Sequence, residues 1–191
     1  MLLEGFPGSI IDDVGDAEDL IKKVVKENWD VVITDLNMPG RSGLDALVQI
    51  KQIKPNLPVL VMSLSPEDQY ALRVLKAGAS GYITKDAPPE ELVKAIHQIK
   101  LGKKYITPTI AAKLTAFFDD DQPEKAAHEN LSDREFDVLK MLAGGKSVSE
   151  ISEHLFLSVT TVSTYRSRII SKMGLKNNAE ITLYAIENKL I

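Results

Sequence analysis

The stretch 30–40, with the sequence DVVITDLNMPG, constrains the fold of this chain more than any other. Its three consecutive β-branched apolar residues, 31–33, are typical of a short strand that is buried on both faces in a parallel sheet. The strand runs into Asp35, and Pro39-Gly40 then indicates a turn. Because ligands of open α/β sheets bind at the carboxyl ends of the strands, Asp35 is a candidate for chemistry rather than solvation.

Two further apolar runs, 58–63 and 81–85, predict strands of the same kind, and amphipathic helical patterns lie between the runs. A shorter run at 9–11 predicts one more strand before the first helix. Strands that alternate with helices at this spacing predict an α/β fold with a doubly wound parallel sheet. Right-handed crossovers bring the carboxyl ends of such strands to one edge, and the residues that end the three strands are Asp35, Ser63 and Lys85.

A carboxylate, a hydroxyl and an ammonium group at one edge suit a transferable phosphoryl group. In this interpretation the carboxylate of Asp35 is the nucleophile and forms an acyl phosphate. The ammonium of Lys85 and the hydroxyl of Ser63 then hold the phosphoryl oxygens. The pattern therefore predicts phosphoryl transfer at this edge of the sheet.

Residues 1–105 resemble the receiver domain of bacterial two-component response regulators. The resemblance is carried by the segments TDLNMPG at 34–40, VMS at 61–63 and KAGASGYITK at 76–85, in this order and spacing. It implies a sensor histidine kinase as the phosphodonor. It also implies the roles of four residues: Asp35 as the phosphoacceptor, Ser63 as the switch hydroxyl, Tyr82 as the switch aromatic residue and Lys85 as the phosphate partner.

The beginning of the chain departs from the receiver pattern. Receivers begin with a central strand that ends in an acidic pair and helps to bind Mg²⁺. Asp12-Asp13 follows the run 9–11, but its spacing to Asp35 fits the second strand of the family. We therefore expect a flavodoxin-like receiver that is N-terminally truncated. Its Mg²⁺ site is expected to be incomplete and weak, with Asp35 and the backbone carbonyl of Asn37 as the protein ligands.

The segment 131–191 is predicted to be helical, with capping boxes at 132–135, 147–150 and 177–180. A tight turn at 156–158 precedes a basic helix, an arrangement typical of a helix-turn-helix unit. This basic stripe, in a chain of net charge −4, predicts a local site for a polyanion. The preceding stretch 119–130 (DDDQPEKAAHEN) is acidic and almost without apolar residues, which predicts a linker.

The helical segment resembles the LuxR-type DNA-binding domain of NarL/FixJ response regulators, through LSDRE at 131–135, SVTTV at 158–162 and KMGL at 172–175. The resemblance implies a receiver domain at 1–118, a linker at 119–130 and a helix-turn-helix domain at 131–191. Double-stranded DNA is the implied partner, bound by a homodimer that pairs through the last helix. Residues expected to face the major groove are Thr160, Ser163, Thr164, Ser167 and Arg168, and those expected to contact phosphates are Thr161, Arg166 and Lys172.

These patterns predict a cytoplasmic transcription factor that is switched by phosphorylation at Asp35. The chain has no cysteine, which excludes thiolate zinc sites and cysteine nucleophiles, and no apolar run is long enough to cross a membrane. Haloacid-dehalogenase-like phosphatases place a second carboxylate two residues after the nucleophile, but Asn37 stands there, so an enzyme is not expected. The alternative is a DNA-binding dimer whose truncated receiver is not phosphorylated and serves only for oligomerisation.

Overall fold

The structure, a computed structural model, describes residues 5–38, 41–64, 67–119 and 126–191. The turn predicted at Pro39-Gly40 lies outside these residues. The chain divides into two compact units, 1–119 and 120–191. Among the helices in the described part of the chain, none is long and apolar enough to cross a membrane.

The first unit contains a parallel sheet of three strands, β1 (Val32–Asp35), β2 (Val59–Ser63) and β3 (Gly81–Thr84), in the order β1-β2-β3. Val32 lies opposite Val59, and Leu60 lies opposite Gly81. The predicted parallel α/β architecture is therefore confirmed. The helices that alternate with the strands are α1 (Ala17–Lys26), α2 (Gly43–Ile53), α3 (Glu67–Lys76) and α4 (Pro89–Lys100), and a further helix, α5 (Pro108–Asp119), follows α4.

Apolar residues of the strands and helices form the core of this unit. The side chains of Leu60, Ile83 and Ile99 are almost completely buried, and Tyr82 is fully buried. The outer edge of β3 is closed by Tyr105, which forms a parallel bridge with Gly81. A Cβ atom on Gly81 would lie 2.8 Å from the Cβ of Tyr105, so this close approach requires glycine.

The strand expected at 9–11 is not formed, and that expectation was wrong. These residues have no regular secondary structure, and the side chains of Ile10 and Ile11 are 88% and 51% exposed. A strand forms only where a neighbour accepts and donates its backbone hydrogen bonds. Among the described residues, β1 pairs only with β2, so no strand lies between β1 and the segment 9–11.

In its described residues, 126–191, the second unit has four α-helices and a short 3₁₀ helix, Ala127–Asn130, and the predicted helical fold is confirmed. The capping boxes of Ser132 with Glu135 and of Ser147 with Glu150 are both formed. The third prediction was wrong in part, because Glu180 accepts from the backbone N–H of Lys176 rather than from that of Asn177. The α-helices are α6 (Asp133–Ala143), α7 (Val148–Leu155), α8 (Val159–Met173) and α9 (Asn178–Glu187).

One face of α8 packs into the core of this unit. Val162 and Ile169 are fully buried, together with Ile151 of α7 and Ile181 of α9. The two α8 residues are seven positions apart, which places them on one side of the helix. The opposite side of α8 is left for solvent or for a partner.

Candidate functional site

The residues predicted to end the three strands, Asp35, Ser63 and Lys85, lie at one edge of the sheet. Asp35 lies opposite Met62, the residue before Ser63, and the backbone N–H of Lys85 donates to the carbonyl of Ser63 at 2.8 Å. The Nζ atom of Lys85 lies 2.5 Å from Oδ2 of Asp35. The parallel pairing of the three strands thus brings a carboxylate and an ammonium that are 50 residues apart into direct contact.

Both oxygens of the Asp35 carboxylate have an intramolecular donor. Oδ2 accepts from Lys85, and Oδ1 accepts from the backbone N–H of Asn37 at 3.0 Å. The side chain of Asp35 is still 26% exposed, so it is accessible from solvent. The carboxylate is therefore oriented by two donors and open on its remaining side.

Ser63 and Tyr82 lie deeper than the ion pair. Ser63 ends β2 and is fully buried, opposite Thr84 in the sheet. Tyr82 is also fully buried, within β3. The hydroxyl of Ser63 is thus positioned by rigid sheet, while Tyr82 is part of the core in this conformation.

Gly43 is a residue of this site that the sequence patterns did not identify. An ideal Cβ atom on Gly43 would lie 1.8 Å from the backbone oxygen of Asp35, and the N–H of Gly43 donates to the carbonyl of Leu36 at 3.0 Å. The first turn of α2 therefore lies directly against the backbone of Asp35. A glycine directly after the N-cap Ser42 is the only sequence signal for this contact.

Gly43→Ala is expected to destabilise the first unit by about 1–3 kcal/mol, because the added methyl group overpacks the contact with Asp35. The measurement is urea unfolding followed by the fluorescence of Trp29, the single tryptophan, which lies in this unit. Gly15→Ala is the matched control, since a Cβ atom there meets nothing within 4 Å. Equal unfolding midpoints for the two variants would contradict the proposed contact.

The described residues do not form a site that fits Mg²⁺. In that part of the chain there is no group of three or more His, Asp or Glu side chains that could hold a metal. Asp12 accepts a hydrogen bond from Lys23 of α1, and hydrogen bonding to Lys23 lowers the pKa of Asp12 below its ordinary value. Mg²⁺ is usually held by one or two carboxylates, with water completing its octahedral shell, so Asp35 and the backbone carbonyl of Asn37 are a minimal donor set that supports weak binding at most.

The outer face of α8 forms a second candidate site. The five residues expected to face a major groove are exposed on this helix: Thr160, Ser163, Thr164, Ser167 and Arg168. Val159 begins the helix and is 50% exposed, although the sequence patterns did not single it out. Together with Arg168, the small side chains at the start of α8 present a continuous surface that DNA could contact.

The three residues expected to contact phosphates are engaged within the protein. The Thr161 hydroxyl lies 2.7 Å from that of Ser158, the residue that caps α8. Arg166 Nε donates to the side-chain oxygen of Asn178 at 2.7 Å. Lys172 Nζ lies 2.6 Å from Oε2 of Glu135. The guanidinium of Arg166 has further N–H groups for a phosphate, whereas the ammonium of Lys172 is held by a carboxylate.

Glu135 has a larger role than the sequence patterns predicted. Its side chain is 2% exposed, accepts from the backbone N–H of Ser132 at 2.8 Å and pairs with Lys172. Burial raises the pKa of Glu135, but the hydrogen bonds from Lys172 and Ser132 outweigh burial and leave that pKa below its ordinary value. The capping box of α6 therefore also holds the last turn of α8.

Comparisons with known proteins agree with both parts of the chain. Residues 2–97 match the family described as "Response regulator receiver domain", and residues 129–185 match "Bacterial regulatory proteins, luxR family". Response regulator GacA of Pseudomonas aeruginosa is 37% identical over 174 residues, which cover 91% of this chain and 81% of GacA.

Several solved structures cover nearly the whole chain. One is RcsB from Salmonella enterica serovar Typhimurium bound to promoter rprA in the presence of phosphomimetic BeF₃⁻. It is 26% identical, has a TM-score of 0.59, and covers 95% of this chain and 88% of that chain. Another shows two RcsB dimers bound to two parallel DNAs. It is also 26% identical, has a TM-score of 0.54, and covers 95% of this chain and 87% of that chain.

Proposed function

Because this chain belongs to the two-component response regulators that join a receiver domain to a LuxR-family domain, we propose that phosphorylation of Asp35 controls its binding to DNA. The chain is a transcriptional response regulator, and its proposed phosphodonor is a sensor histidine kinase. We further propose the domain boundaries 1–118 for the receiver, 119–130 for the linker and 131–191 for the DNA-binding domain. The observation that carries the proposal is the contact of 2.5 Å between Asp35 and Lys85.

The chemistry follows from the orientation of the carboxylate. An oxygen of Asp35 attacks the phosphorus of a phosphohistidine on the kinase, the bond from phosphorus to nitrogen breaks, and an acyl phosphate forms. Lys85 then pairs with a phosphoryl oxygen instead of the carboxylate. The hydroxyl of Ser63, at the end of the neighbouring strand, holds a second phosphoryl oxygen. We propose Tyr82 as the aromatic residue whose packing responds to that change.

Phosphoryl transfer in receiver domains depends on Mg²⁺, but the donor set described above does not fit this cation. We propose weak binding at most, with Asp35 and the backbone carbonyl of Asn37 as the ligands from the protein. Calorimetric titration of the chain with Mg²⁺, compared with the same titration of Asp35→Asn, measures this binding directly.

Binding to DNA is proposed to use the exposed side of α8 in the major groove. The test is selection of duplexes from a random pool by the full chain, followed by titration of the enriched duplexes at several salt concentrations. Enrichment of a common half-site supports the proposal. The proposal would be overturned if the selected duplexes stay random in sequence and their affinity for the chain depends only on the salt concentration.

Arg166→Ala is expected to weaken binding to all DNA sequences alike and to lower the salt slope by about one unit, as for the loss of one phosphate contact. The hydrogen bond from Nε to Asn178 holds the guanidinium in place while its terminal N–H groups remain for the phosphate. Ser163→Ala is the comparison, since a base contact changes preference by about 1–3 kcal/mol rather than slope. An unchanged slope with altered preference in Arg166→Ala would show that α8 is oriented differently.

A homodimer is proposed to form through the exposed side of α9, with Thr182 and Ile186 of the helix and Lys189, just after its end, as contact residues. Ile186 is 58% exposed and its neighbour Leu183 is 57% exposed, which leaves apolar surface for a second copy. The dimer is expected to protect two half-sites about one helical turn apart, about 34–36 Å.

Ile186→Lys is expected to shorten the footprint to one half-site, because a charge replaces the apolar contact between the copies. DNase footprinting of the full chain at saturation measures the protected length. Leu101→Lys is the control, since Leu101 is 75% exposed in the other unit. A full-length footprint in Ile186→Lys would place the dimer contact elsewhere.

A second candidate function is a DNA-binding dimer whose receiver is not phosphorylated and serves for oligomerisation. The observation in its favour is that the described residues hold no cluster of side chains for a metal. The two candidates differ in one measurement, the stoichiometry of phosphate on Asp35 after incubation with a phosphodonor.

A further inference from the structure

The exposed start of α8 lacks the side chains that proteins most often use to recognise bases. The exposed residues in its first turns are Val159, Thr160, Ser163, Thr164 and Ser167. None of these five residues carries a charge or an amide, and Arg166 is turned toward Asn178. Arginine and lysine commonly bind guanine, and asparagine and glutamine commonly bind adenine. The surface at the start of α8 therefore consists of methyl groups and hydroxyl oxygens.

The hydroxyl groups on this surface are further restricted by the helix itself. The hydroxyl of Thr164 donates to the carbonyl of Thr160 at 2.9 Å, and that of Ser167 donates to the carbonyl of Ser163 at 3.0 Å. A hydroxyl has one proton to donate. Toward DNA, these two oxygens therefore act as acceptors, while the methyl group of Thr164 is left for apolar contact.

The combination of hydroxyl acceptors and methyl groups at the start of α8 matches an A·T pair better than a G·C pair. In the major groove, an A·T pair presents the N6 donor of adenine and the C5-methyl group of thymine. A G·C pair also presents a donor, N4 of cytosine, beside the two acceptors of guanine, but it has no methyl group. The methyl group is therefore the feature by which this surface distinguishes the two pairs. Methyl groups of Val159, Thr160 and Thr164 complement thymine by excluding water from its methyl group.

We infer that the first turns of α8 recognise the methyl groups of thymine, so that the core of each half-site contains A·T pairs. The inference rests on the proposed function, since it assigns the specificity of the DNA-binding surface. It goes beyond that function by naming Val159 as a specificity residue and the thymine methyl group as its target. Arg168, beyond these turns, is left for a flanking guanine or a phosphate.

The test replaces thymine by deoxyuridine in a half-site that the full chain has selected, because this exchange removes only the methyl group. Each methyl group that contacts α8 is expected to contribute about fourfold to affinity, the factor that corresponds to about 0.8 kcal/mol for one buried carbon. Deoxyuridine in the flanking DNA is the control and is expected to change nothing. Equal affinity for the thymine and uracil half-sites would overturn the inference.

A protein variant identifies the partner of each methyl group. Val159→Ser removes two exposed methyl groups at the first position of α8 and leaves the hydroxyl acceptors of Thr164 and Ser167 in place. In this variant, the loss of affinity caused by replacing thymine with uracil is expected to disappear at one or more positions of the half-site. A uracil effect that stays unchanged in both Val159→Ser and Thr164→Ser would assign the methyl contact to another part of the chain and overturn the inference.

The inference and the proposed function fail in different ways. If the chain selects a half-site and that half-site is rich in G·C pairs, or is insensitive to uracil, the inference is overturned while DNA binding stands. If the chain selects no half-site from the random pool, the proposed function is overturned and the inference falls with it.

Discussion

Incubated with a small phosphodonor and Mg²⁺, the chain is expected to take phosphate on Asp35 slowly or not at all. The attacking carboxylate and the incoming phosphoryl group are both negative, and a divalent cation normally offsets that repulsion. Here the described residues hold no cluster of side chains for a metal, and Lys85 is the cation that contacts Asp35. A single ammonium offsets one charge and is already engaged with the carboxylate. Intact-mass spectrometry over time measures the stoichiometry of labelling.

Three variants separate the causes of slow labelling. Asp35→Asn is expected to abolish any labelling, because the amide cannot form an acyl phosphate. Lys85→Ala is expected to remove the cation that holds the phosphoryl oxygens and to slow labelling further. An added N-terminal strand that ends in two aspartates is expected to accelerate labelling, since it supplies carboxylates for Mg²⁺ and a neighbour for β1. Rapid stoichiometric labelling of the 191-residue chain would contradict the argument from charge.

Lys172→Ala is expected to destabilise the second unit by about 2 kcal/mol at neutral pH. Removing one partner of a fully buried ion pair costs about 3–5 kcal/mol, because the other charge stays buried without compensation. The smaller figure reflects the position of Lys172, whose side chain is 42% exposed, while that of Glu135 is 2% exposed. The measurement is urea unfolding followed by circular dichroism, with Trp29 fluorescence as an internal control for the first unit.

The double variant Glu135→Gln with Lys172→Met tests whether the pair acts through its charges. Replacing both partners by neutral side chains of similar size leaves no uncompensated charge, so most of the lost stability is expected to return. A double variant as unstable as the sum of its two single variants would show that packing, rather than the ion pair, holds α8 to α6.

The pH dependence of stability gives an independent check of the same pair. The pKa of Glu135 is lower in the folded protein than in the unfolded chain. Its contribution to stability is therefore fully present above the ordinary glutamate pKa, about 4.3, and is lost as the pH falls through the folded value. In Lys172→Ala the buried carboxylate loses its cation and protonates more readily. The stability difference between the two proteins is therefore expected to shrink as the pH falls from neutral, and to be smallest once the pH is below the folded pKa of Glu135, which lies under the ordinary value of about 4.3.

The contact between Asp35 and Lys85 at one edge of the sheet was predictable from the sequence, because the features that produce it are local and topological. The runs of apolar, β-branched residues identify three buried strands. The right-handed crossovers expected between parallel strands then place Asp35, Ser63 and Lys85 at one edge of the sheet. The capping boxes of Ser132 and Ser147 were predictable for the same reason, since each involves residues only three positions apart. Where a contact depends on neighbours in the sequence, the sequence pattern is sufficient.

Other features were decided only by the tertiary structure. The pairing of Lys172 with Glu135 joins residues 37 positions apart, so the ammonium that was expected to contact a phosphate is also bound to a carboxylate within the protein. The approach of Gly43 to the backbone of Asp35 depends on how α2 packs, and the run 9–11 stays irregular because no described strand lies beside it. A sequence pattern shows which side chains are available to pair. The folded chain decides which of them meet, because burial makes an unpaired charge or an unpaired backbone group costly.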